Sequence, residues 1–578
     1  KIGLNKDLLY LIVKELQEIS LIESSKDILN DAYEIFVSKI LKDEAGQFFT
    51  PSNVIRFMVN YLDPSIGSKI LDPACGHGGF LLHVKDRLWE KANDQNTKKE
   101  LISNLFGVDK DLFLAKICKL YLEILSGGKS HIFCENSLDP ESYRKPANSL
   151  IKNNSFDYVF TNPPFGAKIP ITEERVLEKY NLAHLWKNIN RKWELKDTLV
   201  SNQSPQILFI ERCVQFLRDR GQMGIILPEG IFGNPSDRYI WKYLTSKGKI
   251  LGIISLDQNC FQPYTCNKTS ILFFEKLDDI PKDYFIDFAI VRNVGHDKDG
   301  KILYKLNKDG SKKKTEQGDL IIHDELLDLH LRIKDCEHLD FKKNQNIFKI
   351  KFSQIKNDIF IPTYYTGVER RLESLKEKAE FTLESMQSLA NRKIIYTNRT
   401  GYLPRGNEIG SNVYGLGEVP FVRTTELNNW EINLDSHKKT SEEVYLQYKD
   451  KQNIEEGDIL LVKDGGPNLI GKTAYVTSLD TKIIIQSHIY QIKVLPNDEE
   501  IDPYLLLYLL NLDIVQEQIK AITFVQGTIA TLGNRIMEVS LPFPSDPKRR
   551  KEISKSIKNI IDKKIEIRNQ IANLSMEL

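Results

Sequence analysis

The sequence predicts a mixed α/β chain: a doubly wound parallel sheet behind an N-terminal helical region, then an α+β module of short strands, then one long helix. Three observations carry this expectation. Apolar runs of strand length, closing on polar tips at Asp72, Asp109, Asn136 and Asn162, alternate with helical segments. A glycine-rich turn follows the first tip. From about residue 391 the alternation gives way to short β-rich runs between turn residues, and residues 547–578 return to helical spacing.

Composition sets outer bounds. At 578 residues the chain exceeds a single hydrophobic core, and length alone suggests three or four units. With 80 Lys+Arg against 79 Asp+Glu, any nucleic-acid surface must be local rather than global. The seven Cys (75, 118, 134, 213, 260, 266, 336) form neither a C-x-x-C pair nor a Cys/His zinc spacing, which fits reduced thiols and no structural metal. No signal peptide or membrane-length apolar run is visible, so a soluble cytoplasmic protein is expected. The chain opens on Lys1 rather than Met, so further residues are expected upstream.

Taken in order, residues 1–45 carry helical spacing at Leu8, Leu9, Ile12, Val13 and Leu16, and a second helix is expected over 28–41. Gly46 to Ser52 is a loop opening a helix over 53–62, with Thr50 or Ser52 as its expected N-cap. The adjacent Phe48 and Phe49 suit closure over a ligand. Lys69 to Asp72 is a strand that runs into a turn, Pro73 to Phe80, and then a helix over 81–88. Such a turn lets backbone amides approach a nucleotide-like ligand. Its glycines fall as G-x-G-G after an Asp-Pro, unlike the dinucleotide fingerprint. A carboxylate there repels pyrophosphate but suits an ammonium, as in a sulfonium-containing amino-acid derivative. A helix and a polar stretch (93–99) precede the strand Leu105 to Asp109, whose acid stands where two ribose hydroxyls would bind. His131 to Cys134 is the third strand, with Asn136 at its tip.

The fourth run, Phe156 to Thr161, is stopped by Asn162-Pro163-Pro164-Phe165. Proline removes backbone donors, which leaves carbonyl oxygens without competing N–H groups. Asn162 adds a side-chain carbonyl and Phe165 an apolar ring. Two acceptors beside an aromatic plate suit a planar base with an exocyclic amine. They take its two hydrogens and draw its lone pair out of conjugation, while stacking contributes roughly 1–3 kcal/mol. Residues 166–202 read as a long polar loop with short helices. Glu194-Leu195-Lys196 matches the E-x-K of metal-dependent nucleases but lacks their strand context and acidic partner. The sheet is expected to resume with helices over 206–218 and 239–244 and strands over 223–227, 250–256 and 269–274. Gly295 to Gly300 is a hairpin turn that lacks the closing Glu of a calcium loop.

The stretches GQFFTPSNV, DPACGHGGF, FGVDKD, TNPPFG, LPEGIF and NKTSILFF occur in that order within residues 28–305. In this the chain resembles DNA methyltransferases acting on adenine N6, specifically the modification subunit of type I restriction systems, in their gamma motif order. The resemblance implies a Rossmann-like methyltransferase domain over 46–345 with S-adenosylmethionine as cofactor. Phe49, Thr50 and Pro51 would hold its methionine end, and Asp72, Ala74, Gly76 and Gly78 its amino-acid moiety. Asp109 would take the ribose. Asn136, where the family often has Asp, would face the cofactor's adenine amine. Asn162, Pro163, Pro164 and Phe165 would form the catalytic tip holding a target adenine swung out of the duplex. Transfer would be direct and in line, with no metal and no covalent intermediate, leaving Cys75 structural.

Residues 346–390 read as a connector with an amphipathic helix through Leu372, Leu375, Ala379 and Met386. Within 391–546, strands are expected over 393–397, 420–423, 458–463 and 482–485, with a helical block over 504–519. The stretches PFVRTTELNNWEI, EEGDILLVKDGGPNLIGKTAYV, PYLLLYLL and QGTIATLGNRIMEVSLPFP resemble one target-recognition domain of the type I specificity subunits, which reads bases in the major groove. Arg423, Lys463, Lys472, His488, Gln526 and Arg535 are the candidate DNA contacts. In the last helix Ile553, Ile557, Ile560, Ile567, Ile571 and Leu574 recur at 4-3 spacing, with Lys564 in the seam. This coiled-coil-type helix would pair with the helix over 368–389 or with a second copy, giving a homodimer that reads a two-part site. Double-stranded DNA is the implied partner, with a nuclease or translocase component either separate or upstream of Lys1. Competing readings are a bifunctional restriction endonuclease-methyltransferase, a methyltransferase for RNA or protein glutamine, and a DNA-binding scaffold with a silent catalytic fold.

Overall fold

In the computed structural model the apolar runs of the first half gather into one nine-stranded sheet. The structure describes residues 6–17, 50–92, 94–126, 129–165, 170–189, 192–262, 265, 267–336, 346–365, 368–434, 438–466, 468–526 and 529–576. The helix expected over 28–41, and Phe48 and Phe49, lie outside these. The chain divides into two units, Lys1–Phe360 and Ile361–Leu578.

In the first unit the strands are β1 (Ile70–Asp72), β2 (Leu105–Asp109), β3 (His131–Cys134), β4 (Phe156–Thr161), β5 (His184–Ile189), β6 (Lys192–Leu199), β7 (Leu217–Pro228), β8 (Gly248–Ser255), β9 (Thr269–Lys276), β10 (Phe285–Ile290) and β11 (Ile347–Lys351). The sheet order is β3-β2-β1-β4-β7-β9-β8-β10-β11. All its strands run parallel except β9 and the edge strand β11. The two central strands β1 and β4 therefore end side by side, which puts Asp72 and Asn162 on one edge. Helices α1 (Lys6–Leu16), α2 (Ser52–Leu62), α3 (Gly79–Lys91), α4 (Gln95–Ser103) and α5 (Leu112–Ser126) precede or alternate with the first strands. Val54, Phe57 and Met58 of α2, Leu81 and Val84 of α3 and Leu122 of α5 bury in one core with Phe160, Ile226 and Ile254 of the strands.

Several expectations are corrected. The polar stretch 93–99 lies mostly in α4, because Asp94 caps it by accepting the Thr97 amide at 2.9 Å. The helix expected over 206–218 stops at Phe216, and β7 begins at Leu217. Residues 184–189 and 192–199 pair as antiparallel strands, β5 with β6, where a loop is expected. Strands β10 and β11 carry the first unit to Phe360 rather than to 345, since Ile347–Lys351 pairs along β10. The connector helix is shorter than expected, Val368–Lys376, because Phe381–Ser385 is drawn into a strand against Ser540–Pro544.

The second unit is α+β. Ile459–Val462 sits between Thr473–Tyr475 and Ile489–Ile492 in a small antiparallel sheet, under the helix Pro503–Leu510. Residues 393–397 contribute a single bridge, Ile395 to Val494, and Glu442–Gln452 is a helix capped by Ser441. The last helix, Pro547–Met576, packs on Pro503–Leu510. Its expected seam is split. Ile553, Ile557, Ile561 and Ile565 follow a four-residue stripe into their own core, whereas Ile560, Ile567, Ile571 and Leu574 are exposed. Lys564 bonds Glu431, and Arg568 makes a two-pronged pair with buried Asp480.

Candidate active site

The carboxyl edge of the large sheet is built from turns that bind one another. Leaving β1, the Ala74 amide donates to Asp72 Oδ1 at 3.1 Å, and the Cys75 amide to the carbonyl of Val108. The Gly76 amide donates to Asp109 Oδ2 at 2.9 Å, while Asp109 Oδ1 accepts from Asp111 at 2.8 Å. The glycine turn is thereby locked across the tip of β2. Gly76 (φ +50°) and Gly78 (φ +97°) both occupy the left-handed region, for different spatial reasons. A Cβ on Gly78 would lie 2.6 Å from Cys118 Sγ, whereas one on Gly76 would meet nothing within 4 Å among the described residues. Ser137, which no sequence motif singles out, is buried and donates to the Pro73 carbonyl at 2.5 Å, tying the tip of β3 to the same turn. Asn136 is exposed, and its Oδ1 accepts the Leu138 amide at 3.1 Å.

Charge at this edge is unbalanced. Asp72 is 1 % exposed, and burial pushes its carboxyl up to about 7, against the opposing pull of the Ala74 amide. Asp109 is also raised, by burial first. The buried Asp72 beside an open glycine turn fits a ligand that brings a positive charge, as the ammonium of S-adenosylmethionine does.

At the neighbouring tip Asn162 is half-buried, Pro163 buried and Pro164 exposed, and Phe165 is half-buried against the core. Asn162 Nδ2 donates to Thr50 Oγ1 at 3.0 Å. This fixes the amide, and its Oδ1 is buried with no hydrogen-bond partner among the described residues. The expected capping roles of Thr50 and Ser52 are corrected: Pro51 is the cap residue of α2 and no side chain caps it. Thr50 serves Asn162, and Ser52 Oγ bonds His83 Nε2 at 2.9 Å. Farther along the edge, buried Glu229 links Ser255 Oγ and Lys268 Nζ, each at 2.9 Å, so the tips of β7, β8 and β9 are cross-tied.

In the second unit, Lys463 and His488 converge on Asp464, whose other oxygen accepts from Thr531. Asp464 lies in the stretch EEGDILLVKDGGPNLIGKTAYV, beside the candidate contact Lys463. Arg423 pairs with Glu426, and Lys472 reaches Asn428 Oδ1 at 3.2 Å. Gln526 lies in a strand, Phe524–Gln526. Arg535 is a correction: it is 5 % exposed, with Nε donating to the Ile522 carbonyl and Nη2 to that of Thr531, both at 2.7 Å. A guanidinium spent on core carbonyls is unavailable to a base edge.

The first unit thus pairs a turn suited to a cationic amino-acid donor with a tip suited to an amine acceptor, the two halves of a Rossmann-type amino-methyltransferase. The chain belongs to the N-6 DNA Methylase family, whose model matches residues 24–316. A second model, the type I restriction modification DNA specificity domain, matches residues 399–574. The chain is 33% identical over 283 residues to the type I restriction enzyme EcoEI methylase subunit of Escherichia coli, covering 47% of this chain and 51% of that one. It is 34% identical over 166 residues to the MjaIX methylase subunit of Methanocaldococcus jannaschii (28% and 27% covered). With the type II restriction enzyme and methyltransferase RM.BcgI of Heyndrickxia coagulans the identity is 21% over 275 residues (47% and 38% covered). The chain therefore spans about half or less of the length of these relatives.

Proposed function

We propose that the chain is a sequence-specific DNA methyltransferase that moves a methyl group from S-adenosylmethionine to N6 of an adenine swung out of the duplex, within a restriction-modification or related defence system. The observation that carries this reading is the buried, unpartnered Oδ1 of Asn162, whose orientation Thr50 fixes. When bound, the cofactor supplies an activated methyl on a sulfonium. Asp72, and the turn through Ala74, Gly76 and Gly78, hold its charged end, and Asp109 takes the ribose. Asn162 Oδ1 and the main-chain carbonyl of Pro163 accept the two amine hydrogens, and Phe165 stacks on the base. Both carbonyl dipoles then face the positive charge that grows on nitrogen, and the aligned geometry supplies most of the rate. The surplus proton leaves to water. Extruding the base costs a few kcal/mol, offset by stacking and by contacts to the duplex.

The second unit is the reader of the DNA site, with Lys463, His488, Arg423, Lys472 and Gln526 as its candidate contacts. The exposed side of the last helix, Ile560, Ile567, Ile571 and Leu574, is where a second copy would pair. No described helix is long and apolar enough to cross a membrane, and we place the protein's work in the cytoplasm. A second reading, the modifying and reading portion of a bifunctional restriction enzyme, is favoured by the match to RM.BcgI. Methylation-sensitive sequencing of DNA from cells expressing the chain tests the first reading: N6-methyladenine at one recurring sequence supports it, and unmodified DNA refutes it. Magnesium-dependent cleavage by the full-length protein would select the second.

A further inference from the structure

Residues 294–324 form a small cloverleaf that the site described above does not use. Its stem is the bridge Val294–Asp324. Within it the bridges His296–Ile302, Tyr304–Ile322, Leu306–Lys312 and Lys314–Leu320 fold three tight leaves. The leaves turn at Gly300 (φ +78°), Gly310 (φ +84°) and Gly318 (φ +97°). Each is closed by a short polar side chain: Asp297 accepts from the amides of Asp299 and Lys301, Asp309 from Ser311, and Thr315 from Asp319. The backbone is thus tied at every turn, although nearly all of residues 297–320 are exposed.

Charge is sorted within this element: residues 294–324 carry seven Lys against six Asp and Glu, and most of the Lys gather in its middle. Residues 301–314 carry Lys301, Lys305, Lys308, Lys312, Lys313 and Lys314 against Asp309 alone, six positive charges to one negative. Lys312 lies over the Tyr304 ring, 4.4 Å from its centroid. Lys305, Lys308, Lys313 and Lys314 make no ion pair among the described residues. Because bridged positions alternate with unbridged ones, Lys312 and Lys314 project from one face and Lys305 and Lys313 from the other.

The location gives this charge a purpose. Strand β10 runs parallel to β8 and hence in the direction of β4, so the chain leaves Ile290 at the edge that carries Asp72 and Asn162. Asn53 Nδ2 clamps the stem by donating to the Val294 carbonyl at 3.0 Å and to Asp324 Oδ2 at 3.1 Å. Asn53 follows Thr50, the partner of Asn162, by three positions, and Val294 and Leu326 bury in the core that holds α2.

We propose that the cloverleaf is a further DNA-binding site of the catalytic unit, its lysines gripping the phosphodiester backbone of the duplex that flanks the extruded base. This rests on reading the chain as a DNA methyltransferase. Exposed ammonium groups on a pre-tied scaffold gain from counterion release on meeting phosphates, without a loop to order first. An acidic protein would meet the same charge, but the cloverleaf stands at the edge past which the duplex must run.

The test uses the full chain and the variant K305Q/K308Q/K313Q/K314Q, with binding of a labelled duplex followed by fluorescence anisotropy across a KCl series. The plot of log Kd against log salt should become shallower by up to about 3–4 units, at about 0.9 for each phosphate that is no longer neutralised. Affinity should fall alike for all sequences, and KM for DNA should rise with kcat, S-adenosylmethionine binding and Tm unchanged. If the quadruple variant melts early, the pair K308Q/K314Q should give about half that change in slope. A folded variant with the wild-type slope and Kd overturns the proposal and leaves an acidic protein surface as the partner. A wild-type chain that binds S-adenosylmethionine but no duplex overturns the methyltransferase reading, and this proposal with it.

Discussion

Thr50 Oγ1 accepts the Nδ2–H of Asn162 at 3.0 Å, so a residue ahead of the first described core helix orients one at the tip of the fourth strand. The consequence lies at the other end of the amide. With Nδ2 committed to Thr50, Oδ1 is the atom left to face a substrate, and it is buried without a partner among the described residues. An amide free to rotate would present its NH2 half of the time and repel an incoming amine.

Thr50→Val removes that acceptor at nearly constant volume. Methyl transfer in a single turnover should slow by about 10–100-fold, the size expected when a reacting group is misplaced, with S-adenosylmethionine affinity little changed. Thr50→Ser, which keeps the hydroxyl, should restore most of the rate. Full turnover by Thr50→Val would show that the clamp is dispensable.

Cofactor affinity should depend on pH through Asp72. Burial raises its carboxyl to about 7, and a bound cation favours the ionised form. Below about pH 7, calorimetry should show affinity falling towards tenfold per unit, with a proton released on binding. The stability of the unliganded chain should run the other way. A raised carboxyl contributes stability that is full below its ordinary value of 3.8 and is lost as pH rises through about 7. Asp72→Asn should therefore melt higher than wild type at pH 8 without cofactor, while binding S-adenosylmethionine weakly at every pH.

The two left-handed glycines should fail differently. Gly78→Ala drives a Cβ to within 2.6 Å of Cys118 Sγ at φ +97°, and thermal unfolding should show a loss of about 2 kcal/mol or more. Gly76→Ala meets open space at φ +50°, so it should cost only about 1 kcal/mol of stability. Its damage should fall on S-adenosylmethionine binding, because the new methyl fills the cradle. Equal binding by Gly76→Ala and wild type would move the cofactor elsewhere.

In the second unit the last helix is held by charge as well as packing. Arg568→Met leaves the Asp480 carboxylate, fully buried, without its two-pronged partner and should destabilise this unit by about 3 kcal/mol in urea titrations. Leu574→Glu, on the exposed side, should leave stability unchanged while disfavouring any helix-paired dimer in sedimentation.

The sequence was most legible where one physical signal dominated. Strands β2, β3 and β4 match the expected residues because each is a continuous apolar run cut off by a polar tip or by proline. Legibility failed where a tertiary partner decided the outcome. Phe381–Ser385 carries helical spacing yet becomes a strand because Ser540–Pro544 offers it an edge. Residues 347–351 read as connector because nothing local announces that β10 awaits a neighbour. The candidate site divided along the same line. Asp72 and Asp109 close their strands, and Gly76, Gly78 and Asn162 stand in the turns that follow strands, positions that neighbouring residues mark. The role of Thr50, the tie from Ser137 and the burial of Arg535 depend on contacts between distant residues and leave no local mark.

The central claim is that the unpartnered carbonyl of Asn162 grips the amine that receives the methyl group. Its most direct test is the transfer of labelled methyl from S-adenosylmethionine to duplex DNA by Asn162→Ala, measured beside cofactor affinity. The prediction is a loss of turnover of about 10²–10³-fold or more with the Kd for S-adenosylmethionine held close to wild type. Wild-type turnover by this variant would contradict the account.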